Sequence, residues 1–421
     1  MRVKIISRND KKGGAARAAY RLHNSLNKSS YKFNISSQMH VASKISQQDN
    51  VYMDSNFFKV SQVKINNKIE KFVQKLQYAP DSNYRSLSFM PTNLHNQLNK
   101  DSFQLINLHW IQGGMISIEG ISKIRKPSVW TLHDSWAFCG SEHYPENIYD
   151  SRYKEGYLKN NRIKSHSGID LDRWCWERKV KNWVKPIQIV CPSNWLANCV
   201  KKSFLMNEWP VKVIPNPINI DIFKPVEKMI SRQTFNLPPQ SKLIFFGAIS
   251  GIKERRKGWH LFELAMEKLK LYEPKIEIVL LGNSDTSIKS NCKIPMHFIG
   301  KINEDNLLAS LYSAVDVVVI PSSMENLTQI GTEAHCCGTP IAAFNCSGMP
   351  DIVKNKESGF LAKPYDCIDL AEGIYWILKN KIRYEKLRIS ARDYAKNNWG
   401  EELIAKKYAE LYKQVLEKKN L

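Results

Sequence analysis

Short apolar runs alternating with helix-compatible stretches constrain this chain more than any other feature. In the first half the runs are Val3 to Ser7, Leu105 to His109, Ser128 to His133 and Gln188 to Ser193. In the second half they are Leu243 to Gly247, Ile276 to Leu281, Val315 to Ser322 and Pro340 to Phe344. Runs this short, apolar without alternation, suit strands buried on both faces. Repeated strand–helix–strand order implies right-handed crossovers and a parallel sheet covered on both sides by helices. The pattern stops once, where Val211 to Ile214 leads into Pro215-Asn216-Pro217. Two prolines around an asparagine make a stiff, non-helical connector, which puts a boundary near 215–225. The expectation is two such α/β domains, 1–215 and 216–400, with a cleft between them and a helical tail over 401–421. A length of 421 residues fits that reading, since domains typically hold about 100–200 residues.

Composition narrows the functional classes. Met1-Arg2-Val3-Lys4-Ile5-Ile6-Ser7 turns polar at once, leaving no room for a signal-peptide core, and no apolar stretch reaches membrane-spanning length. The nine cysteines show no C-x-x-C spacing, so neither a zinc ribbon nor a disulfide framework is encoded. Both observations imply a protein that folds in the cytosol. Net charge is +22 and uneven: residues 1–210 hold 32 Lys and Arg against 16 Asp and Glu, and the remainder 30 against 24. No nucleic-acid module or basic stripe with interleaved aromatics accompanies the charge. A basic first half suits a protein resting on an anionic membrane surface; a Lys- and Asn-rich coding bias is the plainer alternative.

Several candidates lie in the first half. Gly13 and Gly14 stand between a strand and a helix, where free backbone N–H groups welcome an anion. A tight turn explains two glycines equally well. His109 and His133 each end an apolar run, and ligands of open parallel sheets collect at strand C-termini. Trp174 to Trp183 carries three tryptophans among basic residues, and reads either as an interfacial helix face or as interior packing. Asp170-Leu171-Asp172 has the form of a metal-binding D-x-D but precedes a helix instead of ending a strand, so it reads as helix-start charge.

The second half carries the richer constellation. Ser322 to Ala334 directly follows a buried strand, and Thr328 sits where a helix N-cap is expected. Backbone N–H groups there point at whatever lies above the strand, which suits a diphosphate. Glu325 precedes the helix and Glu333 lies more than one turn into it, so the two can reach different parts of one elongated ligand. Carboxylates suit sugar hydroxyls because they accept several hydrogen bonds. Two solvated helix-end charges would show the same spacing.

Context favours the first reading. The E-x7-E pair, the strand before it and Cys337-Gly338-Thr339-Pro340 resemble the signature of family 4 retaining glycosyltransferases of the GT-B type. Further landmarks fall in order: Gly13-Gly14-Ala15, Thr131-Leu132-His133-Asp134, Ile214-Pro215-Asn216, Lys257-Gly258 and Gly359-Phe360-Leu361. Trp130-Thr131-Leu132-His133-Asp134 most resembles bacterial polysaccharide glycosyltransferases of the colanic-acid and O-antigen type.

That resemblance implies two Rossmann-like domains, an acceptor-binding 1–215 and a nucleotide-sugar-binding 216–400, with the 401–421 helix returning to the first. It implies a retaining hexosyltransferase acting from a UDP- or GDP-linked sugar on a lipid-linked oligosaccharide in surface polysaccharide synthesis, at the inner face of the cell membrane. Glu333 would hold the ribose, Glu325 a sugar hydroxyl, and Lys257 with Arg256 the diphosphate. His133 would stand beside the reacting sugar, and Gly13 and Gly14 would admit a phosphate. No metal or other cofactor is expected, and no nucleic-acid partner. The sequence departs from the family in places. Ala248, not arginine, follows Gly247, so Arg255 or Arg256 must serve; Asn326, Leu327 and Thr328 replace the usual Gly-Phe-Gly in the donor loop; and Ser141-Glu142-His143 lacks the cysteines of close relatives. A GT-B sugar-nucleotide 2-epimerase and a non-enzymatic basic membrane or nucleic-acid adaptor are the alternatives.

Overall fold

The computed structural model describes residues 1–54, 57–81, 83–146, 149–247, 254–282 and 293–418. The chain divides into two compact units, Met1–Pro217 with Glu402–Leu421, and Ile218–Glu401.

In the first unit the strands are β1 (Arg2–Asn9), β2 (Ser36–Ser43), β3 (Val51–Met53), β4 (Gln77–Tyr78), β5 (Leu105–Leu108), β6 (Ser128–Thr131), β7 (Ser167–Gly168), β8 (Gln188–Cys191) and β9 (Val211–Val213). Seven form one sheet in the order β3-β2-β1-β5-β6-β8-β9, every pair parallel. β4 and β7 pair antiparallel as a separate ribbon. Every residue of β5 and β6 is buried, as expected of strands with helices on both faces. Strand order reverses between β1 and β5, the switch point where open α/β sheets form their ligand crevice.

The helix Glu401–Glu417 packs in this unit, although the segment before it belongs to the other. Its Ile404, Ala405, Tyr408 and Tyr412 join the core formed by Val3, Ile5, Leu105 and Val129. Two buried polar contacts set its register: Asn107 Nδ2 donates to Tyr412 Oη at 2.7 Å, and Tyr408 Oη lies 3.1 Å from Thr131 Oγ1. Buried polar groups go partnered because leaving them unpaired is costly.

The tryptophan-rich segment is mostly interior packing: Trp176 and Trp183 are buried, while Trp174 is 36% exposed. Helix Leu171–Asn182 starts at Asp170, whose carboxylate accepts the Arg173 N–H, so the D-x-D is a helix cap. Trp183 packs edge-on against Trp130 and Trp136, with ring centroids 5.3 and 5.9 Å away. Lys179 is fully buried, its ammonium 3.9 Å from the centre of the Trp136 ring and bonded to the carbonyls of Trp136, Cys139 and Gly140. Burial lowers its pKa to about 8.

In the second unit β10 (Lys242–Gly247), β11 (Ile276–Leu281), β12 (Met296–Gly300), β13 (Val317–Ile320), β14 (Ile341–Phe344) and β15 (Gly359–Ala362) form a parallel sheet in the order β12-β11-β10-β13-β14-β15. Here the order reverses between β10 and β13. The segments Glu254–Gly258 and Pro321–Thr328, which hold most of the candidate residues, meet at that reversal, as Ser323 N donating to Arg256 O at 2.9 Å shows.

Candidate functional site

Glu325 is the hub of the second unit's site. It leaves β13 through Pro321–Met324 and is only 6% exposed. Its Oε1 accepts from Lys257 Nζ at 2.6 Å and from Arg256 Nη1 at 3.1 Å. Arg256 also donates to the Met324 carbonyl at 2.6 Å and to the Glu254 carboxylate. Burial would raise the Glu325 pKa, but Lys257 and Arg256 overcome it and hold the group down to about 2. Glu325 is therefore an ionised carboxylate, buried and paired. Of the two arginines weighed from sequence, Arg256 makes this contact and Arg255 is exposed. The position after Gly247, where the family's arginine is expected, lies outside the described residues.

Local geometry explains the spacing. Gly258 caps the helix Trp259–Tyr272 with φ +74°, and a Cβ on it would stand 2.0 Å from the Pro321 carbonyl oxygen. Only glycine lets the Lys257 turn lie against the end of β13. The loop after β14 braces the other side: Ser347 Oγ accepts the Glu325 N–H at 2.9 Å, and Gly348 N donates to the Glu325 carbonyl at 2.8 Å. Sequence reasoning passed over Ser347 and Gly348; the Asn-Cys-Ser-Gly turn ending that strand was their only signal.

The other donor-side candidates are placed less uniformly. Thr328 occupies the N-cap of the helix Gln329–Cys336, as expected, but its side chain makes no capping bond. Asn326 is buried, and the Leu327 side chain belongs to the apolar core with Ile320 and Met349. That leaves Leu327 only its backbone to offer a ligand. Glu333 is 2% exposed and its Oε2 accepts from Tyr312 Oη at 2.8 Å, so its carboxylate rests on a different partner from Glu325.

The first unit gathers its own groups at strand ends. Gly13 caps the helix Gly14–Lys28 at φ +95°, with no side-chain cap and no acid in the first turn. Nothing lies within 4 Å of where a Gly13 Cβ would stand; the glycine is required by backbone conformation. His109 and His133 meet at the ends of β5 and β6, Nδ1 to Nε2 at 2.9 Å. Burial lowers the pKa of both, that of His133 to about 4, so the pair is neutral near pH 7. Beside them Asp134 accepts from Trp110 Nε1 at 3.0 Å, from His143 Nδ1 at 2.6 Å and from Trp136 N at 3.0 Å. Tyr84 lies edge-on to His143 and near Trp110.

Arg8, at the end of β1, is half-buried and donates to the Gln112 carbonyl at 3.3 Å; burial lowers its pKa. Trp110, Tyr84 and Arg8 were not among the sequence candidates. Trp110 directly follows a candidate histidine, and Arg8 is the charged residue closing the first strand. The Ser141-Glu142-His143 segment feeds a buried ionic network in which Arg152 joins Asp150 at 3.0 Å and Glu142 at 3.7 Å. Asp81, Glu146 and His166 bring ligand-type atoms within 4.8 Å of one another. Arg85 already grips both Asp81 oxygens, at 2.9 and 2.7 Å, and supplies the counter-charge there.

Comparison with known proteins agrees with this architecture. Residues 12–222, half of the chain, match the family model described as Glycosyltransferase Family 4, and residues 230–396 match that of Glycosyl transferases group 1. An uncharacterized glycosyltransferase of Methanocaldococcus jannaschii is 29% identical over 243 residues, 55% of this chain and 60% of that one. The chain spans between 35% and 60% of the length of the first curated relatives it matches. Among solved structures, a sucrose-phosphate synthase from Thermosynechococcus elongatus aligns with TM-score 0.69 at 18% identity, over 98% of both chains. Anabaena HepE in complex with UDP-glucose aligns with TM-score 0.61 at 15% identity, over 98% of this chain and 100% of that one. A match over half of the sequence decides the family: the chain belongs to glycosyltransferase family 4, built on the GT-B fold.

Proposed function

We propose that this protein is a retaining glycosyltransferase that moves a hexose from a UDP- or GDP-linked sugar to a lipid-linked glycan acceptor in surface polysaccharide synthesis. The observation that carries the reading is the buried, ionised Glu325 held by Lys257 and Arg256 at the switch point of a parallel sheet. A carboxylate kept charged in a dry site offers strong acceptors to sugar hydroxyls. Two cations beside it suit a diphosphate leaving group, whose developing charge they would spread. The structure of HepE with UDP-glucose supports a nucleotide-sugar donor.

In the proposed reaction the acceptor hydroxyl attacks the anomeric carbon from the face the diphosphate leaves. The new C–O bond forms as the C–O bond to phosphate breaks, and the proton passes to the leaving phosphate oxygen. Lys257, Arg256 and the N-terminus of helix Gln329–Cys336 stabilise the departing charge, the part a divalent ion plays in other transferases. Glu333 holds the ribose, Asn326 to Thr328 line the donor, and the neutral His133 bonds the sugar or acceptor beside C1. Gly13 and Gly14 admit the backbone close to a phosphate. The acceptor side belongs to the first unit, whose excess of basic residues supports contact with an anionic membrane face. Among the described residues no helix is long and apolar enough to cross a membrane.

Calorimetric titration with UDP-glucose, GDP-mannose and ADP-glucose tests the donor. One of the first two binds wild type, and Lys257→Ala weakens it by about ten- to a hundredfold, the value of a charge-assisted hydrogen bond. Undiminished binding by Glu333→Ala would remove Glu333 from the donor site, and no binding of any sugar nucleotide would sink the reading.

A further inference from the structure

We propose that helix Phe57–Gln74 is a membrane-docking element that lies in the plane of an anionic lipid surface. This gives the membrane contact of the proposed function a place in the molecule. Its test needs no sugar transfer, so either reading can fail while the other stands.

The helix is fastened on one side only. Asn66 and Glu70 are buried there, Gln74 Nε2 donates to the Arg85 carbonyl at 2.9 Å, and a Cβ on Gly114 would stand 2.7 Å from the Val63 carbonyl oxygen. The opposite side faces solvent and carries large apolar residues: Phe58 is 82% exposed, Ile65 54% and Phe72 69%. Positions seven apart in an α-helix differ by only about 20° in azimuth, so these three form one stripe along the axis. Leu76, Tyr78 and Ile169 are also exposed, and the β4–β7 ribbon brings Ile169 N to the Leu76 carbonyl at 2.9 Å.

Charge on that side has one sign. Lys64, Lys68, Lys71 and Lys75 are exposed and lie alongside the apolar stripe, while the single acid of the helix, Glu70, is buried on the fastened side. Apolar side chains flanked by lysines suit the boundary between acyl chains and acidic headgroups. There the rings bury and the lysine stems lie flat with their ammoniums in the headgroup layer. A spacing of seven is also that of a coiled-coil seam. The companion seam positions are Ser61, Lys68 and Lys75 in one register, where a second copy would press its own lysines against them, and Gln62, Ile69 and Leu76 in the other, where Gln62 already donates to the Pro91 carbonyl at 3.4 Å and Ile69 is half-buried. Helix Leu171–Asn182 offers less: Leu171, Cys175 and Trp176 are buried in the core, and its large exposed apolar residues are Trp174 at 36% and Val180 at 39%.

Co-sedimentation of the full-length protein with vesicles tests the assignment. Wild type pellets with equal parts phosphatidylcholine and phosphatidylglycerol, and far less with phosphatidylcholine alone. Ile65→Ser/Phe72→Ser lowers the partition at least about tenfold, from lost apolar burial. Replacing Lys64, Lys68, Lys71 and Lys75 by Gln lowers it by about fivefold per residue on the anionic vesicles. Leu271→Ser, at an exposed position of the other unit, binds as wild type. Unchanged circular-dichroism melts confirm that all variants fold. Equal wild-type binding to both vesicle types, no binding to either, or full binding by either set of helix variants overturns the proposal. So does a concentration-dependent dimer that Ile65→Ser/Phe72→Ser abolishes, which would assign the stripe to a second copy.

Discussion

Replacing Glu325 by glutamine removes one charge from a buried ion cluster, and the size of the effect follows from the two states of the carboxyl. Its ordinary pKa of 4.5 falls to about 2 in the folded protein. Each unit of difference corresponds to about 1.4 kcal/mol, so the ionised group contributes on the order of 3 kcal/mol near neutrality. Because the folded pKa is the lower one, this stability is present above about pH 4.5 and is lost as pH falls toward 2. Integrating the two titration curves gives a loss of about 1 kcal/mol by pH 4 and about 2 by pH 3. Glu325→Gln has no such carboxyl to protonate and leaves Lys257 and Arg256 without their shared partner. It should therefore be less stable than wild type by roughly 3 kcal/mol at pH 7, with the gap narrowing as pH falls. Urea unfolding of both proteins at pH 7, 5, 4 and 3, followed by circular dichroism, reads the gap directly; other titrating groups cancel in the difference. If the two curves run parallel from pH 7 to pH 3, the cations do not hold this carboxylate and the cluster has been misread.

Gly258→Ala should cost at least about 2 kcal/mol in the same urea assay, since it forces a side chain into left-handed backbone and against the Pro321 carbonyl. Tyr412→Phe strips the buried Asn107 amide of its partner and should cost about 1–3 kcal/mol; a neutral result would show that the returning helix is held by its apolar contacts alone. His133 is kept neutral by burial, its pKa lowered to about 4 from an ordinary 6.5. Wild type therefore loses stability as pH falls from 6.5 toward 4, where the unfolded chain takes up the proton first. His133→Gln should lose less over that window in matched denaturation curves.

The alternation of strand and helix was legible because a doubly covered parallel sheet requires short, wholly apolar runs, and β5, β6, β13 and β14 are buried at every position. Caps follow from local chemistry too: a serine just before a helix is a natural N-cap, and Ser193 Oγ accepts the Leu196 N–H at 3.1 Å at the start of helix Asn194–Lys202. Helix Phe57–Gln74 is hard to delimit from the sequence, because apolar residues on its solvent side blur the period that marks an amphipathic element. Its exposed stripe was invisible for the same reason.

Residue types and spacing by themselves determined the two α/β units, the connector between them and the short list of acids, histidines and glycines worth watching. Tertiary structure alone decided which of these meet. Glu325 finds Arg256 across 69 positions of sequence, and Asn107 finds Tyr412 across 305. It also chose Arg256 over Arg255, set Leu327 into the core, put Glu333 against Tyr312 and sent Trp176 and Trp183 inward. The physical reason is that period and capping are properties of neighbouring residues. The pairing and ionisation of a buried charge depend instead on what the folded sheet brings within a few ångströms of it.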